Sequence, residues 1–243
     1  MQMVRRRVLA IAFSLALLAS VSSGASGRAA TDRTAKVVVI TSGVVPEGEE
    51  SGSGDYGYAD YGLVLRNQSL TRDAIDVTVE VEAVDGRGQS FTDDYVVVTL
   101  IPAGAKFVIS GALIWRGSFE LAGIETEVDV GQSAPRRRRL PPVKHVSVTS
   151  SGSVIGSFTN PYKKRLPEGA TIYGVVLDSG GRVVGAGYDS TDAVTRPGAT
   201  AAFYILKAAT TLQPDAATSA KVSVDPCGYL AFTRDCPVPG AQR

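Results

Sequence analysis

Two stretches of this chain carry the same punctuation in the same order. "VEAVDGRGQSFTDDYVVVTLIPAGAKFVIS" and "VVLDSGGRVVGAGYDS" with the "TRPGATAAFYI" that follows each run apolar, Asp/Gly turn, apolar, Pro/Gly turn, apolar. Gly62 and Asn67 answer to Gly156 and Asn160, and Asp85-Gly86 to Asp178-Ser179-Gly180. Pro102-Ala103-Gly104 answers to Pro197-Gly198, and "TEVDVG" to "KVSVDP", each offset by a little over ninety positions. Chance agreement of turn residues does not preserve spacing over a whole unit, so the chain is a duplication of one strand order.

The order is one of strands. Ile75, Val77, Val79, Val81 and Ala83 alternate with Asp76, Thr78, Glu80 and Glu82, the period-two pattern of a strand with one buried and one wet face. Asp85-Gly86 supplies a hairpin turn after it. Strands are expected at "KVVVITSG", "YGYADYGLVLRNQS", "AIDVTVEVEAVDG", "SFTDDYVVVTLI", "KFVISGALIW" and "LAGIETEVDVG". A second set follows at "KHVSVTS", "SVIGSFTNP", "ATIYGVVLDSGG", "VVGAGYDS", "TAAFYIL" and "AKVSVDP". In the last of these, Val222 and Val224 alternate with Lys221 and Ser223, which predicts a buried valine face and a wet opposite face. No amphipathic helical stretch competes, and "LKAATTLQPDAAT" is the one place for a short helix. The predicted fold class is all-β: two tandem immunoglobulin-like β-sandwich domains after a signal peptide.

The domain plan follows. "MQMVRRR", the 14-residue apolar run "VLAIAFSLALLASV" and the small residues after it form the three parts of a secretory signal over residues 1–25, with cleavage after Ala25. The first sandwich is placed at 34–131 and the second at 143–226. Between them, 132–142 ("QSAPRRRRLPP") reads as a Pro/Arg linker open to trypsin, because proline cannot join a central ladder and four arginines repel one another. Residues 227–243 form a tail closed by a Cys227–Cys236 disulfide, since an exported chain with two nearby cysteines lacks the further ligands of a zinc site.

The order "G-x-x-x-N", an alternating strand ending in "LDSGG" or "VDGRG", then "RPGATAAFYI" or "PAGAKFVIS", resembles the FxLYD family of bacterial extracytoplasmic domains. "YGVVLDSGG" has Val-Val-Leu-Asp where that family shows Leu-Tyr-Asp. The resemblance covers most of 36–130 and 143–226. It implies small immunoglobulin-like sandwiches in tandem on the outer side of the membrane, and it brings no catalytic residues.

Chemistry-bearing constellations are sparse. There is no G-x-S-x-G elbow, H-E-x-x-H or P-loop. His145, the single histidine, is expected at a strand edge. Asp93-Asp94 and Glu49-Glu50 are neighbours that point apart on a strand. Asp189, Asp192 and "DSGG" read as turn chemistry rather than a Ca²⁺ site, and "NQS" at Asn67 reads as a turn. Trp115 reads as core. Candidate partner-binding residues are Arg136, Arg137, Arg138 and Arg139 as an anion-facing run, and Tyr56 and Tyr58, with Tyr61 nearby, as an aromatic surface. A net charge of +1 and the lack of aromatic interleaving speak against nucleic acid. The expectation is an exported, non-catalytic protein without cofactor or metal and without a membrane span in the mature chain. It would bind or space an envelope protein or polymer outside the cytoplasmic membrane. The alternative is a hydrolase, or its accessory subunit, with an unrecognised site.

Overall fold

A computed structural model describes residues 34–46, 56–205, 219–228 and 236. The signal segment, the short helix expected over 206–218 and most of the C-terminal tail lie outside the described residues. The first half contributes β1 (Val37–Pro46), β2 (Tyr56–Asn67), β3 (Arg72–Val84), β4 (Ser90–Ile101), β5 (Lys106–Arg116) and β6 (Gly123–Pro135). The second contributes β7 (Val143–Val148), β8 (Val154–Thr159), β9 (Thr171–Leu177), β10 (Val183–Ser190), β11 (Thr200–Ile205) and β12 (Ser219–Asp225).

The strands form four antiparallel sheets, ordered β1-β2-β5 and β4-β3-β6 in the first half, β11-β8-β7 and β10-β9-β12 in the second. Adding six to each strand number of the first half reproduces the pairing of the second, so the duplication is real at the level of topology. In each half the chain alternates between two facing sheets in the A-B-E against C′-C-F manner of an immunoglobulin-like sandwich.

The turns that mark the repeat do the same work in both copies. Asn67 is buried; its Nδ2 donates to the carbonyls of Arg72 and Ile101 at 2.8 and 3.0 Å, and its Oδ1 accepts from Ser69 N–H at 3.1 Å. Asn160 repeats this with the carbonyls of Lys164 and Thr195 at 3.0 and 2.9 Å and the N–H of Tyr162 at 2.9 Å. Each asparagine thus ties the loop after the second strand of its copy to the end of the fourth strand or the loop beyond it. Asp85 Oδ1 accepts the N–H groups of Arg87 and Gln89, as Asp178 Oδ1 accepts those of Gly180 and Arg182. The later turns need glycine, because Gly104 and Gly198 sit at φ of 71° and 74°. Two sequence pairings shift by one residue. Ala105 N–H bonds Pro102 C=O and Ala199 N–H bonds Arg196 C=O, so Pro102 corresponds to Arg196 and not to Pro197. Gly156 pairs with Phe203 while Gly62 pairs with Ser110, which makes Leu63 the counterpart of Gly156.

The halves are not beads on a string. Thr31–Arg243 is one compact unit, and β9, the central strand of the second half's inner sheet, is buried on both faces from Ile172 to Leu177. Val77, Val79 and Val81 of β3 pack on Tyr61, Leu63 and Ile109 in a core that continues into Tyr173, Val175 and Leu177 of β9. A separate cluster of Phe158, Ile172, Val176, Phe203 and Val224 fills the second sandwich. The sheets meet closely: a Cβ on Gly43 would lie 2.6 Å from Val183 Cβ, so this position tolerates no side chain. Phe107 meets Tyr173 edge-on at 6.1 Å between centroids. Val224 is buried as expected, but Ser223, expected wet, is buried too, because that face of β12 lies against β5, where Ser223 Oγ accepts Val108 N–H at 3.0 Å.

Asp225 completes the joint. It is fully buried, and Oδ2 accepts Thr99 N–H of β4 at 2.8 Å while Oδ1 accepts Cys227 and Gly228 N–H at 3.0 and 3.3 Å. Beside it the Cys227–Cys236 disulfide packs on Ile75 and Leu100 of the first half, with Tyr162 of the second at the margin.

Replacing Asn160 by Ala strips a donor from two carbonyls and an acceptor from one N–H, and is expected to cost about 2–4 kcal/mol in urea unfolding. With a shared core, the transition should remain single for both proteins. Burial raises the Asp225 pKa above its ordinary value of 3.8, outweighing the N–H donors that would lower it. Folding therefore favours the protonated form. The stability carried by that proton is full below about pH 3.9 and is lost as pH rises through the raised folded value. In Asp225→Asn, urea midpoints measured from pH 4 upward should lack this decline; parallel curves for the two proteins would contradict it.

Candidate functional site

The sequence-predicted site residues do not converge. Tyr56, at the tip of β2, is exposed and lies under the Arg116 guanidinium at 5.9 Å, a cation–π contact. Tyr58 is half-buried and donates its hydroxyl to Asp60 Oδ1 at 3.0 Å. Tyr61 is buried and donates to Asp94 Oδ2 at 2.8 Å. Trp115 is half-buried, with Phe91 edge-on at 5.4 Å, and Phe91 in turn stacks on Phe119. His145 is exposed at φ 54°, within an irregularity of the β7–β8 ladder between Lys144 and Ser147.

The arginine run is held more firmly than a linker. β6 extends past the expected boundary: Gln132, Ser133, Ala134 and Pro135 pair with Ile75, Ala74, Asp73 and Arg72 of β3. Asp73, buried, then gathers the next residues. Its Oδ2 accepts the N–H groups of Arg137 and Arg138 at 3.0 and 3.1 Å and lies 3.8 Å from the Arg138 guanidinium. Its Oδ1 accepts Ala103 N–H at 2.9 Å, so one carboxylate binds the connector and the β4–β5 turn together. Arg136 N–H bonds Thr71 C=O, and Tyr162 donates to Arg139 C=O at 2.7 Å. Arg136, Arg137 and Arg139 remain exposed around a shallow recess of about 610 Å³.

A wider cleft lies elsewhere, where the two halves meet. It encloses about 800 Å³ and is lined by residues 94–97 of β4, 110–112 and Ile114 of β5, Thr171 and Tyr173 of β9, 188–190 of β10, and Gly228. Tyr95, Ile114 and Tyr188 stand 62%, 58% and 59% exposed around it. Behind them Tyr61 and Tyr173 are pushed to higher pKa, first by burial and then by the carboxylates of Asp94 and Asp225 respectively, so both are neutral phenols. Asp94 is held at both oxygens, Oδ2 by Tyr61 and Oδ1 by Tyr95 N–H at 2.8 Å. That arrangement sets shape and polarity. Nothing in the residue pattern singled out Tyr95 or Tyr188; the available signal was a large aromatic at the wet position of a strand.

Fold and cleft together define an all-β protein of two fused sandwiches with an open groove along their junction. Compared with protein-family models and with curated proteins, the chain matches none.

Asp73→Asn keeps the volume but loses acceptor capacity for the paired Arg137 and Arg138 N–H groups. The rate of first tryptic cleavage between residues 136 and 139, followed by mass spectrometry, should rise about tenfold. An unchanged rate would mean that Asp73 does not hold the connector.

Proposed function

We propose that this chain is an exported, non-catalytic β-sandwich protein that acts by binding at the cell envelope. The observation that carries this reading is the junction groove, where Tyr95, Ile114 and Tyr188 offer aromatic and aliphatic surface to solvent on a rigid frame. Large apolar side chains grouped on a surface mark contact sites. The disulfide agrees with an oxidising compartment, and the N-terminal three-part signal gives the route there. The FxLYD resemblance, carried by the turn residues, points to the same side of the membrane. Among the described residues no helix is long and apolar enough to cross a bilayer. The engagement of both Asp94 oxygens by protein groups favours binding over acid–base chemistry at the groove.

The test is retention of the purified chain on washed envelope fractions in a sedimentation assay. The Tyr95→Ala/Tyr188→Ala double variant should lose about tenfold in retention while unfolding at the same urea midpoint. Equal retention of variant and parent would remove the groove from the function.

A further inference from the structure

We propose that the junction groove takes an extended, cationic peptide segment, which pairs as an added strand along the free edge of β4. This deepens the binding reading above and rests on it.

A groove lying across a sheet face is lined by alternate residues, because successive side chains point to opposite faces. This one is lined by consecutive residues of β4, β5 and β10. It therefore runs along strand edges, and among the described residues each of those strands ends its sheet. The second half already uses parts of these edges. Thr99 N–H of β4 is taken by Asp225, and Val108 N–H of β5 by Ser223. Tyr95 N–H is turned the same way and is met by its neighbour Asp94. In an antiparallel strand the backbone groups of alternate residues point to the same side. The N–H and C=O of Val97, between Tyr95 and Thr99, therefore point away from β3 into the groove. Val97 is where an incoming strand would exchange its pair of hydrogen bonds, the mode of β-strand addition.

Charge selects the occupant. On the outer face of sheet β4-β3-β6, Asp93, Glu82 and Glu125 stand side by side across three strands, with Glu80 and Glu127 paired in the next rung but one and Asp129 beyond. Like charges placed directly opposite one another destabilise a sheet. A strand added beside β4 continues this face, so lysine or arginine on its outward positions would sit next to Asp93. Tyr95 shares that outer face with Asp93 and would flank the basic positions, while the alternate side chains would turn the other way, into the groove toward Ile114 and Tyr188. No lysine or arginine lines the groove. A second copy of this chain would bring an identical acidic face alongside, which repulsion opposes.

The experiment is fluorescence anisotropy of a labelled seven-residue peptide alternating Lys and Val, titrated with the full chain. Binding is expected to weaken with added salt. It should fall about tenfold or more when alternate peptide amides are N-methylated, and similarly in Val97→Pro, with Val97→Ala as its control. Proline at an outward edge position spares the β3 ladder. The N-methylated peptide tests the same contact on unaltered protein should Val97→Pro misfold. The proposal is overturned if a Glu–Val peptide binds equally, if N-methylation has no effect, or if no peptide binds. Binding of a cell-wall oligosaccharide at Tyr95 and Tyr188 in place of peptide would overturn this inference and leave the envelope reading standing. If neither ligand binds and the tyrosine variants keep full envelope retention, both fail.

Discussion

The rest of the architecture depends on β9, the central strand of sheet β10-β9-β12, being buried on both faces. One side closes the second sandwich through Ile172, Val176 and Val224; the other lies on β1-β2-β5 through Val175, Val183 and Ala186. Where a sheet is buried on both sides, it must satisfy its polar groups internally. Ser223 and Asp225 do this by accepting backbone N–H groups of the opposite half. The buried carboxylate is tolerable only because three N–H donors converge on it, and the disulfide beside it holds the segment that supplies two of them.

Duplication made the two halves alike in their turns and unlike in their faces. Asn67 and Asn160 are equivalent to the atom, since each closes a loop within its own copy. By ladder register, one residue off the match of "TEVDVG" with "KVSVDP", Asp129 and Asp225 occupy matching places, opposite Thr78 and Thr171, yet one is exposed on an outer sheet and the other is sealed in the joint. The inherited residue type is the same, and the environment decides whether it is a solvated charge or a buried acceptor. Asp73 shows the converse. It has Leu166 as its counterpart by position, and in the first copy the carboxylate there holds down the connector that follows.

The groove is a by-product of the same joint. When one sandwich is laid against another, edges that would be isolated are brought together. β4, β5 and β10 each present an unpaired side among the described residues, and the second half caps some of their donors while leaving Val97 open. Rigid surroundings keep such an edge extended, which lowers the ordering cost for anything that pairs with it.

By itself the sequence determined the elements. All twelve strands, the hairpin aspartates, the turn glycines Gly104 and Gly198 and the pairing of Cys227 with Cys236 were legible, because period-two alternation, turn dihedrals and a nine-residue cysteine spacing are settled by near neighbours along the chain. The tertiary structure alone decided how the halves meet. Alternation identifies one apolar face per strand but is silent on whether the polar face will be wet, so Ser223 read as solvent-facing and lies buried. Pro and Arg in series read as a linker, and the buried Asp73 that pins them is sixty-odd positions away. Tyr95, Ile114 and Tyr188 belong to three different strands, two of them in different sandwiches, and no local pattern relates them. Their grouping follows from the crossing of two sheets, a long-range contact whose geometry depends on which side chains interdigitate rather than on which are apolar.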